Sequence, residues 1–137
     1  MNTRAERLQG CVDGFIRSST LLKEDFEKSP SMLGVALIVN AAFAAELAIK
    51  RYIELTAGQP MKGHELKKLW SHIDEKVQDV VADAVCAQVP LERGRFAEYL
   101  DRCSASFVDW RYTYEKDSNF TNYRFLLFLA TEIRKLR

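Results

Sequence analysis

Apolar residues return every three or four positions along most of this chain, and nowhere do they alternate with polar ones over the length of a strand. Leu8, Cys11, Val12, Phe15, Leu22 and Phe26 form the first such stripe and predict a helix over 3–27. Thr3 and Glu6 have the spacing of a capping box, in which a hydroxyl and a carboxylate each accept a backbone N–H from the other's residue. Ser29 followed by Pro30 then opens a second helix, because proline at the first helical position has no N–H to lose. That helix is predicted to reach Ala57, with Gly58 closing it in the left-handed conformation and Pro60 barring its continuation.

The second helix is apolar nearly all round over 32–45, as expected of a helix with neighbours on several sides. The stretch 32–49 is about as long as the shortest membrane spans, roughly 17 residues. Gly34, Asn40 and Glu46 interrupt it. A carboxylate inside a span costs about 2.5 to 3.5 kcal/mol, whereas burial at the centre of a bundle explains the same run without that cost.

Leu66, Trp70, Ile73, Val77, Val80, Ala84 and Val85 keep a period near one helical turn and define a third helical stretch. Ser71 followed by Asp74 offers a fresh start within it, so one continuous helix and two joined ones are both open. Beyond Pro90, the stripe Phe96, Leu100, Cys103, Phe107 and Trp110 predicts a fourth helix, and 116–119 breaks the pattern. A last helix from Thr121 turns Tyr123, Leu126, Leu127, Ala130 and Ile133 inward, with Arg134, Lys135 and Arg137 suited to the dipole at its end. The expectation is one all-α domain over 1–137, an antiparallel bundle of four to five helices.

Composition narrows the function without naming it. Across 137 residues, 20 Lys and Arg face 19 Asp and Glu, so no overall field draws the protein to a polyanion and any such binding needs a local patch. Cys11, Cys86 and Cys103 are too scattered for a disulfide framework or a zinc site, and are expected to be small buried hydrophobes in a reducing compartment. The charged start of the chain lacks the apolar run of a signal peptide, which sets the expectation of a cytoplasmic protein with no membrane partner. Phosphate loops, paired metal ligands and an activated serine or cysteine pattern are absent from the sequence, so no cofactor or metal is expected.

Two separated segments carry a resemblance. Ala45-Glu46-Leu47-Ala48-Ile49-Lys50-Arg51-Tyr52 is followed, after a Gly/Pro loop, by Gly63-His64-Glu65-Leu66-Lys67-Lys68-Leu69. Further on stands Val108-Asp109-Trp110-Arg111-Tyr112-Thr113-Tyr114-Glu115. In their order and helical context these segments resemble the HEPN family of helical bundles. The resemblance implies a four- or five-helix bundle, usually a homodimer, among proteins that include metal-independent ribonucleases and members of defence and toxin–antitoxin systems.

In active members of that family four to six residues separate an arginine from a following histidine, the first holding phosphate charge and the second moving a proton. After Arg111 those places hold Lys116, Asp117 and Ser118, so the resemblance stops short of the catalytic pair. Arg111 and Glu115 lie one turn apart, as a surface ion pair would. With Tyr112 and Tyr114 they form, alternatively, a pocket for phosphate and base. Glu46 and Lys50 are also one turn apart, and the apolar surroundings of Glu46 suggest burial against a cation such as Arg111 or Lys50. His64 stands at the entrance to the third helical stretch beside Lys62, Lys67 and Lys68, a basic cluster that reads either as a solvated face or as a contact for RNA phosphates.

These features favour a non-catalytic, HEPN-like interaction module that binds RNA, a nucleotide or a protein partner encoded nearby. A ribonuclease with a rearranged site of Arg111, Tyr114, Glu115 and His64 is the rival, and a purely structural adaptor the third reading. The apolar excess of 120–129, with Phe125 to Leu129 uninterrupted, argues for a homodimer.

Overall fold

The computed structural model of the chain describes residues 3–28, 33–104 and 123–136. Its helices are α1 (Arg4–Lys28), α2 (Leu33–Ala57), α3 (Leu66–Trp70), α4 (Glu75–Gln88), α5 (Phe96–Cys103) and α6 (Tyr123–Arg134), with a 3-10 turn at Arg93–Arg95 before α5. Among the described residues there is no strand and no helix long and apolar enough to cross a membrane.

The start of α1 is the capping box that the sequence predicts. Thr3 N–H donates to Glu6 Oε2 at 3.2 Å and Glu6 N–H to Thr3 Oγ1 at 3.1 Å, so two donors with no partner inside the helix are satisfied reciprocally. At the other end of α2, Gly58 adopts φ +75° and its N–H reaches Glu54 O at 2.9 Å, the left-handed closure for which a residue without Cβ is suited. The third helical stretch is two helices. Ser71 ends α3 and Asp74 precedes α4, although its side chain makes no capping bond; Gln78 Nε2 donates to Trp70 O at 2.8 Å and holds the junction. This split, rather than a new element, brings the described α-helices beyond the expected four to five.

Three contacts set the register of α1 on α2: Arg4 Nε to Glu54 Oε1 at 2.8 Å, Ser18 Oγ to Asn40 Oδ1 at 2.9 Å, and the Phe26 ring beside Gly34. As one number rises the other falls, so the two helices are antiparallel. The pairs Asp13–Arg134 and Glu27–Arg124 make α1 antiparallel to α6 as well, which leaves α2 and α6 pointing the same way. Ala41, Ala44, Ala45 and Ala48 of α2 are fully buried, and such small side chains let neighbouring helices approach closely. Trp70, Phe96 and Phe125 pack in sequence as tilted ring pairs, 5.1 and 5.2 Å between centres, and bind α3 and α5 to α6.

Two expectations are corrected. Phe125, Leu126, Leu127 and Leu129 are all buried within the chain, so the apolar run of α6 fills this domain's own core and gives no argument for a dimer. Cys11 is exposed, while Cys86 and Cys103 are buried as expected. A helix turns by about 100° per residue, and that step carries Cys11 from the fully buried Val12 to the edge of the stripe. Burial pushes the Cys86 thiol up from its ordinary value. The Ser29-Pro30 start, Phe107, Trp110, the 116–119 break and Thr121 lie outside the described residues.

Candidate functional site

Each of the three interruptions of the apolar helix α2 is accommodated by the fold. Asn40 accepts from Ser18 and donates through Nδ2 to Ala36 O at 2.8 Å. Gly34 makes room for Phe26, since a Cβ there would stand 2.8 Å from the ring. Glu46 is the costly one, a carboxylate only 2% exposed among alanines. Charge at that depth requires compensation.

Compensation comes from two directions. Lys50, one turn later on α2, donates Nζ–H to Glu46 Oε2 at 3.2 Å, as the sequence spacing suggested. The second contact was not foreseen. His64, from the loop between α2 and α3, sets Nδ1 at 3.2 Å from both carboxylate oxygens. An ionised carboxylate only accepts, so in this bond Nδ1 is the donor. The His64 side chain remains 59% exposed. A buried acid thus orients an imidazole that solvent and ligands can reach.

The loop that carries His64 is fixed at both ends. Gly58 closes α2, and Gly63 next to His64 takes φ +108°, a conformation that residues with a side chain rarely adopt. The first turn of α3 is capped from a distance: Ser104, after α5, accepts the N–H of Lys67 at 2.9 Å. His64 opens onto a cavity of about 290 Å³ with Met61 and Leu69 as apolar lining and Lys62, Lys68, His72 and the acidic Glu65 around it. Lys68 pairs with Glu65 at 3.4 Å and Lys67 with Asp101 at 3.3 Å, both on the open surface, where such pairs are worth about 0 to 1 kcal/mol and exchange readily. Of the basic cluster read from the sequence, Lys62 and Lys68 line this concave site, whereas Lys67 lies outside it.

Of the residues singled out in the sequence, Glu46, Lys50 and His64 come together here, whereas Arg111, Tyr112, Tyr114 and Glu115 lie outside the described residues. Sequence reasoning overlooked Arg51. Its side chain is 8% exposed, with Nη1 reaching Leu136 O at 3.5 Å and Nη2 reaching Gln9 Oε1 at 3.4 Å. Burial lowers its pKa, nearby Arg134 adds to the lowering and Asp13 opposes it. The signal was present, since Arg51 continues the face of Ala44 and Ala48 at helical spacing. It ties α1, α2 and the chain after α6 together rather than serving the His64 cavity.

Among the described residues, no group of His, Cys, Asp and Glu is arranged to hold a metal ion. Comparison of the chain with protein-family models, curated proteins and solved structures returns no match. The helical architecture and the Glu46–His64 site therefore carry the functional reading by themselves.

Proposed function

We propose that this protein is a HEPN-like helical interaction module that binds a phosphate of RNA or of a nucleotide in the cavity beside His64, without cleaving it. The observation that carries the reading is the buried Glu46 carboxylate, which holds the imidazole at the mouth of a cavity where Lys62, Lys68 and His72 add positive or donor groups. Lysine ammonium groups supply mobile point charges for phosphate, and the apolar lining of Met61 and Leu69 suits a ribose or base face. The protein's near-zero net charge makes this patch a local attractor rather than part of a general field. The resemblance to HEPN proteins adds the expectation of a defence or toxin–antitoxin setting and of a protein partner encoded nearby.

Fluorescence anisotropy with a mixed-sequence RNA oligonucleotide, with competing nucleotides, tests this reading. Binding should weaken as salt rises, and should fall several-fold in Lys62→Ala, Lys68→Ala and His64→Ala. Affinity unchanged in all three variants, or no binding at low salt, would sink it in favour of a structural adaptor, in which Glu46, Lys50 and His64 do no more than anchor the loop.

A second reading, the metal-independent ribonuclease, is favoured by one specific contact. An imidazole oriented by a buried carboxylate is the kind of group that takes a proton from a 2′-hydroxyl. The same RNA decides between the two readings. Turnover in the presence of a chelator, lost in His64→Ala, establishes the enzyme; binding without products supports the module.

A further inference from the structure

A carboxylate on the rim of the His64 cavity opposes phosphate, yet Glu65 stands there. Its place in the chain offers it a different task, which it does not perform. Glu65 is the N-cap residue of α3, but its side chain makes no capping bond, and the Lys67 N–H is satisfied by Ser104 instead. The carboxylate is left half exposed and paired with Lys68, whose Nζ lies 3.4 Å from Oε2. Lys68 is itself 80% exposed, so the pair is weak and open to exchange. Side by side at the start of α3, the two residues offer a ligand two acceptor oxygens next to a donor ammonium.

Guanine is the base whose edge complements that pattern. Its N1–H and N2–H2 are adjacent donors that one carboxylate accepts together, and the neighbouring O6 accepts from an ammonium. Adenine and cytosine offer one amino donor beside a lone pair, and uracil one N–H between two carbonyl oxygens. With each of these, a carboxylate oxygen faces an acceptor or nothing.

We propose that the cavity beside His64 selects a guanine nucleotide, with Glu65 accepting from N1–H and N2–H2 of the base and Lys68 donating to O6. The inference rests on the reading of this cavity as a nucleotide site and adds which base it holds. Lys62 and His72 remain for the phosphate, beside the imidazole that Glu46 orients. The buried Leu69 and the partly buried Met61 supply apolar surface for the base, and a thioether packs well against an aromatic ring. At about 290 Å³ the cavity is close to the lower bound of roughly 300 Å³ for ligand pockets, which suits one nucleotide rather than a run of several.

Competition against a fluorescent mixed-sequence RNA by the 5′-monophosphates of guanosine, inosine, adenosine, cytidine and uridine at low salt tests the assignment. Guanosine monophosphate should compete about tenfold more strongly than the adenosine, cytidine and uridine forms, at the lower end for a bidentate contact because Glu65 is half exposed. Inosine monophosphate keeps N1–H and O6 but lacks the 2-amino group, and should fall between. Glu65→Gln replaces one acceptor oxygen by a donor amide. It should abolish the guanine preference without weakening competition by adenosine monophosphate. Glu65 makes no capping bond, so the variant is expected to keep its helices, which circular dichroism verifies. Equal competition by all five nucleotides, a guanine preference that survives Glu65→Gln, or RNA binding with which no nucleotide competes would each overturn the inference and leave the cavity reading standing. Failure of the RNA and of every nucleotide to bind would sink both.

Discussion

Ser104 Oγ accepts the backbone N–H of Lys67 at 2.9 Å, so the α3 helix beside the candidate site is capped by a residue 37 positions further along the chain. Glu65, which occupies the local cap position, makes no side-chain cap bond, and Ser104 is itself buried. Ser104→Ala would leave a donor without its partner at the entrance to α3. A cost of about 1 kcal/mol is expected, measured by urea denaturation, with faster hydrogen exchange at Lys67 as the local signature. An unchanged exchange rate would assign the cap to another group.

Glu46 and His64 should respond very differently to truncation. Glu46→Ala strips Lys50 of its buried counter-charge and leaves a void in α2, for an expected loss of about 3 kcal/mol. His64→Ala removes a mostly exposed ring and should cost less than about 1 kcal/mol, while Glu46 keeps Lys50. Thermal or urea unfolding of the two variants gives the comparison. Equal losses would mean that the imidazole, not the lysine, neutralises the buried acid.

Stability should carry an acid-sensitive component from the far end of the bundle. The Arg124 guanidinium bonded to Glu27 brings that carboxyl down from 4.5 to about 2, with Tyr123 and Lys23 assisting against the effect of burial. A folded-state pKa below the unfolded one means that the stabilisation is present above about pH 4.5 and lost as pH falls through the window to about 2. The pair lies at the surface, so its worth is about 1 kcal/mol. In urea titrations at a series of pH values, Arg124→Ala should be less stable than the native protein near neutrality and should converge on it by pH 2. A gap that persists at the acid end would rule out this linkage.

Ser19 presents the opposite opportunity. Its hydroxyl is fully buried in α1 and has no hydrogen-bond partner among the described residues. Burying such a group costs roughly 1 to 3 kcal/mol, and alanine is the better helix former. Ser19→Ala should therefore raise stability by about 1 kcal/mol, read as a higher urea midpoint with an unchanged slope. A fall would reveal a bond from this hydroxyl.

The elements were legible where the signal was local. The Thr3–Glu6 box, the Gly58 closure and the α6 stripe of Leu126, Ala130 and Ile133 each depend on residues within a few positions of one another, and all stand where the sequence put them. Lys50 was visible as a partner for Glu46 for the same reason. His64 was named from its motif, yet its bond to Glu46 spans 18 positions and a loop, and helical periodicity says nothing about where a loop delivers a side chain. Ser104 and Arg51 escaped notice because their partners are 37 and up to 85 positions away. The apolar run of α6 misled in another way: a high density of apolar residues states how much surface must be covered, not whether the cover belongs to the same chain.

The like direction of α2 and α6 has a consequence for how the protein matures on the ribosome. Helices α1 and α2 are close in sequence and pair through contacts such as Ser18 to Asn40, 22 positions apart, so this hairpin closes cheaply and early. The chain must then traverse α3, α4 and α5 before Phe125, Leu126, Leu129, Ala130 and Ile133, all with no exposure in the finished fold, cover the other side of α2. At about 5 to 20 residues per second, the emerging hairpin waits several seconds with its alanine-rich face open. A nascent chain stalled before residue 123 emerges should be bound by chaperones and cut by proteases within α2, and both susceptibilities should vanish once α6 clears the exit tunnel.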